Sequence, residues 1–165
     1  SSMPCDGIVT ISKSSTVKAL GIWSDGHQSP VESQEFYMPY LPSTIKTNMP
    51  THADYVPLKA FDGSDQTYFW SEGEVSKGDY FEVDLDQPSE ISSVRLLTGT
   101  PDHPSDFLHH GAIEVSTDGK QFERIGAVEG GVADASFSIR PVRAIRIAVT
   151  GNQSHWLVIR EIQIH

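Results

Sequence analysis

The sequence has almost no cysteine and no long apolar run. Its 165 residues include a single cysteine, Cys5, which excludes an internal disulfide and a cysteine-based zinc cluster. No stretch approaches the roughly 18 apolar residues that a membrane-spanning helix needs, and residues 1–4 have none of the features of a signal peptide. We therefore expect no membrane insertion.

Basic residues are also scarce. Lys and Arg total 12 against 22 Asp and Glu, which gives a formal net charge of −10 at pH 7. Binding to nucleic acid or to an anionic membrane needs a basic surface, so we predict a neutral or cationic partner and no nucleic acid. The length suffices for one ordinary domain with a substantial core, and for part of a second.

Recognisable catalytic motifs are missing as well. Glycoside hydrolysis would need two carboxylates facing each other across a sugar, and none of the many acidic residues lies in such a setting. The sequence contains no nucleophile elbow, phosphate-binding glycine loop or HExxH helix. These absences favour a non-catalytic domain.

Strand signals are what the first quarter of the chain does contain. Short strands are predicted at residues 8–11 and 16–23, and after an Asp25-Gly26 turn residues 31–36 can return antiparallel. So few strands cannot form a core alone. We interpret residues 1–36 as a fragment of a preceding small β domain, and residues 37–43, with two prolines, as a linker.

Residues 44–165 show strand signals at the intervals typical of a β-sandwich. In residues 80–85, Phe81, Val83 and Leu85 alternate with Glu82 and Asp84, so that one face is apolar and the other charged. No segment has a sustained helical period. The pattern predicts an all-β, antiparallel jelly-roll sandwich of about eight strands, at residues 43–47, 79–85, 92–98, 111–116, 122–128, 135–139, 144–149 and 157–164.

A family resemblance rests on an ordered set of motifs in residues 41–165. They are Ala60-Phe-Asp-Gly63, Thr67 with the aromatic run after it, Gly78-Asp-Tyr-Phe-Glu-Val-Asp-Leu85, Ile113-Glu-Val-Ser-Thr-Asp-Gly119 and Arg160-Glu-Ile162. The set resembles the discoidin, or coagulation factor V/VIII type C, domain, a galactose-binding-like fold that includes family-32 carbohydrate-binding modules. The earlier Thr16-Val-Lys-Ala19 and Asp25-Gly26 resemble the tail of the fibronectin-like C-terminal domain of bacterial β-hexosaminidases.

The resemblance implies a non-catalytic module of a secreted glycoside hydrolase, of the β-N-acetylhexosaminidase type, that binds galactose-, GalNAc- or GlcNAc-type glycan ends. Its partners would be the glycan and the catalytic domain of the parent hydrolase, in a secreted, periplasmic or cell-surface setting. The alternative is a structural or protein-contact module of the parent enzyme that keeps a calcium site and lacks a sugar pocket.

A calcium site is expected where residues 59–67 meet Arg160-Glu161. Calcium binds six to eight oxygens at about 2.3 to 2.6 Å. The resemblance implies a structural Ca²⁺ held by the carbonyls of Lys59, Ser64 and Arg160, the side chains of Asp62 and Glu161, and Thr67. The alternative is an ordinary Asp-Gly turn with Glu161 on a solvated face, although a carboxylate flanked by Ile159 and Ile162 needs a partner.

Sugar binding requires exposed aromatic rings beside fixed polar side chains on loops. The loops at residues 68–72, 100–110 and 152–156 qualify. We predict a platform from Phe69 or Trp70, hydroxyl partners from His103, Asp106 and His109, and a second wall from Phe107 or Trp156.

Each of these residues also has a simpler interpretation. In that interpretation the tryptophans pack in the core, and Phe107 with Leu108 plugs one end of the barrel. A zinc set of His103, Asp106 and His109 has no rigid ligand spacing. Three arginines follow one another at three-residue spacing: Arg140, Arg143 and Arg146. Either they pair with carboxylates, or one of them forms hydrogen bonds with a sugar.

Overall fold

The computed structural model describes residues 9, 15–36 and 44–165. The chain divides into two compact units, Ser1–Pro39 and Tyr40–His165. The predicted strand at residues 8–11 and the predicted linker at 37–43 lie outside the described residues, apart from Val9. Among the described residues, no helix is long and apolar enough to cross a membrane.

The first unit contains the antiparallel hairpin that the sequence predicts. Strand β1, Ser15–Ala19, pairs with β2, Glu32–Phe36. The strand predicted at residues 16–23 ends at Ala19, because Gly21 and Ile22 already belong to the connection that returns through Asp25 and Gly26. That this unit is a fragment of a small β domain stays a prediction.

The second unit is an antiparallel β structure with one 3-10 helical turn, η1, at Pro57–Ala60. Its strands are β3 Thr44–Thr47, β4 Phe69–Trp70, β5 Tyr80–Thr98, β6 His110–Ser116, β7 Glu123–Glu129, β8 Val132–Val149 and β9 Val158–Ile164. They are hydrogen-bonded in the order β4-β9-β5-β8-β6-β7, and β3 pairs with β5. The predicted all-β class is confirmed.

In two places, two strands predicted to follow one another in the sequence form a single long strand in the structure. Segments 79–85 and 92–98 lie on β5, and segments 135–139 and 144–149 lie on β8. The β5–β8 pairing shifts register between Asp84 and Ser89 and again between Ile91 and Ser93. Such irregularities bend and twist strands, so both strands turn without ending.

The alternation in β5 divides the core from the charged face as predicted. Phe81, Val83 and Leu85 are buried in the core. On the other face Glu82 is covered by ion pairs with Arg146, at 2.8 Å, and Lys46, at 3.5 Å.

Arg140, Arg143 and Arg146 each pair with a carboxylate, which is the first of the two alternatives predicted for them. Besides Arg146 with Glu82, Arg143 pairs with Asp84 at 2.9 Å and Arg140 with Glu123 at 2.8 Å. These pairs engage all three guanidinium groups within the sheet and its edge.

We expect Phe81→Ala to lower the free energy of unfolding by about 3 to 5 kcal/mol, because it leaves a cavity at a side chain that is 0% exposed. Ile139→Ala removes an apolar side chain that is 66% exposed and serves as the control, with a change within about 0.5 kcal/mol. Urea denaturation measures both. Equal losses for the two variants would contradict the assigned core.

Candidate functional site

Trp70, on β4, is the centre of a group of aromatic side chains to which three separate loops contribute. Its ring centroid lies 4.3 Å from that of His103, 4.9 Å from His52 and 5.2 Å from Trp156. Tyr55 contacts it edge-on at 5.4 Å. We call these five residues the Trp70 cluster. Both tryptophans are half-buried, so each keeps part of its ring accessible.

The direction of Trp70 follows from the alternation of side chains in a strand. Strand β4 is only Phe69 and Trp70, paired with Ile159 and Val158 of β9. Phe69 points inward, is 0% exposed and packs on Phe81 at 5.2 Å. The prediction of Phe69 as a platform is therefore wrong, and Trp70 takes the outward position.

Backbone hydrogen bonds hold the loop of residues 52–55 against β4. The Trp70 N–H donates to the carbonyl of Tyr55 at 3.2 Å, and the His52 N–H donates to the carbonyl of Trp70 at 2.9 Å. Tyr68 stacks on Tyr55 at 4.8 Å. Burial, and then its hydrogen bond with Tyr55, raises the pKa of Tyr68 to about 12, so that this phenol stays neutral.

Asp106 joins the 100–110 loop to the Trp70 cluster. Its Oδ2 accepts a hydrogen bond from the Trp70 Nε1–H at 3.0 Å, and its carbonyl accepts one from the Val158 N–H at 2.8 Å. The carboxylate thus orients the indole, and within the described residues its Oδ1 has only a long contact, 3.4 Å, with the hydroxyl of Ser105. Oδ1 retains the capacity to accept a hydrogen bond from a ligand.

Gln153 is a buried amide that fastens two of the loops together. Its Nε2 donates to the carbonyls of Phe107, His155 and Trp156 at 3.1 to 3.3 Å, and its Oε1 accepts from the His109 N–H at 3.1 Å. The sequence analysis did not identify Gln153, His52 or Tyr55. Gln153 does lie in the candidate loop of residues 152–156, whereas no sequence signal pointed to His52 or Tyr55.

Phe107 and His109 form a separate group. Their rings stack at 4.2 Å, and His109 stacks on His155 at 5.7 Å. No ring contact joins Phe107 to Trp70 within the described residues, so of the two candidates for a second wall only Trp156 contacts Trp70. His109 likewise lies apart from His103, and in the described part of the chain no three potential metal-ligating side chains of His, Cys, Asp or Glu converge.

Oxygen atoms of Asp62, Ser64 and Thr67 lie close together in the turn of residues 62–67. Asp62 Oδ1 accepts hydrogen bonds from the Ser64 N–H at 3.0 Å and from the Thr67 hydroxyl at 2.9 Å. The Thr67 hydroxyl also lies 3.3 Å from the Ser64 carbonyl. Gly63 permits this turn because it adopts a φ of +82°.

Glu161 faces this turn from β9 and is 4% exposed. Its Oε2 has no hydrogen-bond partner within the described residues. Burial raises the pKa of Glu161 to about 7; the Gly63 backbone N–H lowers it, and the charge of Asp62 raises it. An unpartnered buried oxygen beside a second carboxylate, a hydroxyl and a carbonyl matches the donors that calcium prefers. The residues present therefore fit the ion.

A family model identifies the second unit. The model of the MGAT4 C-terminal domain matches residues 43–161. The chain belongs to the MGAT4 C-terminal domain family. A Gallus gallus relative, alpha-1,6-mannosyl-glycoprotein 4-beta-N-acetylglucosaminyltransferase, is 30% identical over 98% of this chain and 41% of its own length. The Mus musculus alpha-1,3-mannosyl-glycoprotein 4-beta-N-acetylglucosaminyltransferase C is 33% identical over 74% of this chain and 28% of its own length.

This MGAT4-type chain thus spans less than half the length of these curated relatives. The resemblance of the early segment to a hexosaminidase tail is not supported, because the match to the Gallus gallus transferase takes in 98% of the chain. The expected glycoside hydrolase parent is likewise unsupported. The short motifs on which both rested are common to sandwich domains attached to different enzymes.

Solved structures confirm the jelly-roll fold of the MGAT4-type domain. Chitosan-binding module 1 of a Paenibacillus chitosanase/glucanase aligns with a TM-score of 0.66 at 20% identity, covering 79% of this chain and 99% of the module. The module CBM32-1 of a Clostridium perfringens family 31 glycoside hydrolase has a TM-score of 0.63 at 21% identity, covering 76% and 96%. A family 32 module of C. perfringens NanJ, solved with galactose, has a TM-score of 0.62 at 17% identity, covering 73% and 91%.

We expect the chelator-treated protein to lose stability as pH rises, because of Glu161. Its pKa in the folded state, about 7, exceeds the usual 4.5, so between these values the folded protein holds a proton that the unfolded chain has released. The contribution of this group is complete below about pH 4.5 and is lost as pH rises through about 7. Thermal melts in EDTA should show a steeper decline for the wild type than for Glu161→Gln. Parallel declines would contradict the shift.

Proposed function

We propose that residues 44–165 form a non-catalytic carbohydrate-binding module attached to a glycosyltransferase-type protein. The observation that carries the proposal is the convergence of two half-exposed indoles, Trp70 and Trp156, with His103 and Asp106. An aromatic face packs against the C–H groups of a pyranose, and fixed polar atoms read its hydroxyls.

The polar atoms have distinct tasks in this proposal. Asp106 Oδ2 already orients the Trp70 indole, at 3.0 Å from its Nε1, so Asp106 Oδ1 accepts from a sugar hydroxyl. His103 and His52 contribute ring nitrogens at the margin of the indole faces. The loops hold their geometry without ligand because Gln153 and the β4–β9 pairing fix them, which limits the ordering cost of binding.

Among the sugars predicted from the sequence, a GlcNAc-type glycan end is favoured. The curated relatives are named as N-acetylglucosaminyltransferases that act on mannosyl glycoproteins. One structural neighbour was solved with chitotriose, whose residues carry an amino group at C2, and another with galactose. A module of modest affinity still keeps a tethered catalytic domain near its glycan, because tethering raises the effective concentration. The secreted, periplasmic or cell-surface setting stays a prediction.

We expect Trp156→Ala to weaken GlcNAc binding roughly tenfold. Exposing about 50 Å² of apolar sugar and indole surface costs about 1.2 kcal/mol. Phe122→Ala is the control: it also removes a half-buried aromatic ring, but one held under the Arg146 guanidinium at 3.6 Å, and it leaves the affinity unchanged.

Calorimetric titration with GlcNAc, GalNAc, galactose and chitobiose makes this measurement. If none of the four binds at millimolar concentration, the sugar proposal fails and the domain is a structural or protein-contact module instead. Equal affinities of Trp156→Ala and the wild type would exclude the Trp70 cluster as the site.

We also propose that a structural Ca²⁺ joins the turn of residues 62–67 to β9. Asp62, Thr67 and Glu161 supply side-chain oxygens, and Lys59, Ser64 and Arg160 supply carbonyls. The ion neutralises a carboxylate that is buried without a partner on Oε2, and it anchors the loop that leads directly into β4. Its effect on sugar binding is therefore indirect.

Added calcium should raise the thermal midpoint of the wild type, since an ion that binds only the folded state stabilises it by about 2.7 kcal/mol at 100 times its Kd. Asp62→Asn should abolish this increase. Asp65→Asn makes the same chemical change at an exposed carboxylate of the same turn, whose Oδ1 accepts a hydrogen bond from the Gln66 side chain, and should retain it. An undiminished calcium response in Asp62→Asn would refute the site.

A further inference from the structure

A second concavity, of about 340 Å³, lies along a different set of loop residues. Its lining is largely apolar and includes one cationic side chain, Arg160. The lining residues used below are Pro101, Pro104, Phe107, Gly131, Val132 and Arg160. None of the five residues of the Trp70 cluster lines it. The 100–110 loop therefore contributes Asp106 and His103 to one site and its prolines and Phe107 to another.

The cavity is built by hydrogen bonds and by two glycines. The Thr98 hydroxyl donates to the Gly131 carbonyl at 2.6 Å and accepts from the Leu108 N–H at 3.0 Å. Gly99 and Gly131 have φ values of +69° and +94°, and a Cβ at either would lie 3.0 Å from the Cβ of Phe107. The absence of side chains at both positions lets Phe107 seat against the backbone and form the wall.

Arg160 is the only charged residue that lines this cavity. It lies on β9 where the pairing with β5 shifts register, between Leu97 opposite Glu161 and Thr98 opposite Ile159. Its Nε is buried and has no hydrogen-bond partner within the described residues. A buried donor without a partner costs about 1 to 3 kcal/mol, and more when it is charged, so an acceptor is needed at this position.

The lack of an ion pair distinguishes Arg160 from the other half-buried arginines. Arg140, Arg143 and Arg146 each contact a carboxylate at 2.8 or 2.9 Å. Arg160 has no carboxylate within 4.0 Å in the part of the chain that the structure describes. In a protein of net charge −10, an unpaired guanidinium is one of the few places where an anion is attracted.

We propose that this cavity is a second glycan subsite that binds the carboxylate of an acidic sugar. The planar guanidinium presents parallel donors that match the two oxygens of a carboxylate, and Arg160 is half-buried, so part of its side chain remains accessible from the cavity. The prolines, Phe107 and Val132 pack against the C–H face of the pyranose ring, and the volume accommodates one monosaccharide. The proposal stands independently of GlcNAc binding at the Trp70 cluster, because the two sites share no side chain.

The test is a titration of the 15N-labelled protein with glucuronate, followed by the Nε–H resonance of Arg160 at about pH 6. We expect a saturable shift of this resonance, no shift with glucose, and an unshifted Trp70 indole N–H that reports on the other site in the same spectrum. Arg160→Gln should weaken glucuronate binding about tenfold or more, from the loss of charge-assisted hydrogen bonds.

Two further variants separate the site from nonspecific charge effects. Val132→Glu places a negative charge at a wall residue that is 45% exposed, so it should weaken glucuronate binding similarly without disturbing the core, and it carries the test if Arg160→Gln fails to fold. Arg124→Gln removes an exposed arginine elsewhere and should leave the affinity unchanged. Glucuronate binding that is insensitive to Val132→Glu, or an equal shift of the Arg160 resonance by sulfate at the same ionic strength, would overturn the proposal.

Discussion

Strand β9 is hydrogen-bonded along both of its edges, and the register of these pairings positions the residues of each proposed site. It pairs with β4 on one side and with β5 on the other. Val158 faces Trp70 and so sets the position of the indole. Arg160 lies at the register shift and lines the second cavity, while Glu161 turns towards the Asp62 loop. Because side chains alternate along a strand, a slip of one residue would exchange these directions together.

The loops are ordered mainly by polar contacts that the strands make possible. Gln153 joins two loops through four hydrogen bonds, and Asp106 orients an indole that β4 has already turned outward. A buried amide that both donates and accepts hydrogen bonds holds irregular backbone in place, much as a strand pairing would. The proposed sugar site is therefore largely formed without a ligand, although most of its residues lie outside regular secondary structure.

The sequence predicted the fold well because alternation is a local signal. The pattern of residues 80–85 alone separated the core face from the charged face, and Arg143 and Arg146 were expected to find carboxylates. The continuity of β5 could not be predicted, since Asp86 and Pro88 indicate a turn where the strand instead bends. The consecutive aromatics at positions 68 to 70 left the phase of β4 open, which is why Phe69 was wrongly admitted as a platform.

Residues that act through tertiary contacts were harder to find. Nothing local marks Gln153 as a buried clamp, and His52 and Tyr55 reach Trp70 only through the β4 hydrogen bonds. Short motifs also suggested a hydrolase parent that the comparisons do not support, because such motifs describe the sandwich scaffold and one scaffold can accompany different enzymes. The fold could be inferred from the motifs, whereas the proposal of a transferase-type parent required the longer match to the transferase relatives.

The seating of Phe107 against Gly99 and Gly131 divides the 100–110 loop into parts with different freedom to evolve. The C-terminal end of the loop tolerates little change. Phe107 there packs against the bare backbone of Gly99 and Gly131, and the Leu108 N–H is bound by the Thr98 hydroxyl. Residues 101, 102, 104 and 105 are exposed, and substitutions or insertions there leave the anchors intact. Divergence in ligand preference between members of the family is thus expected to accumulate at this tip, between two fixed ends, while the scaffold below it stays constant.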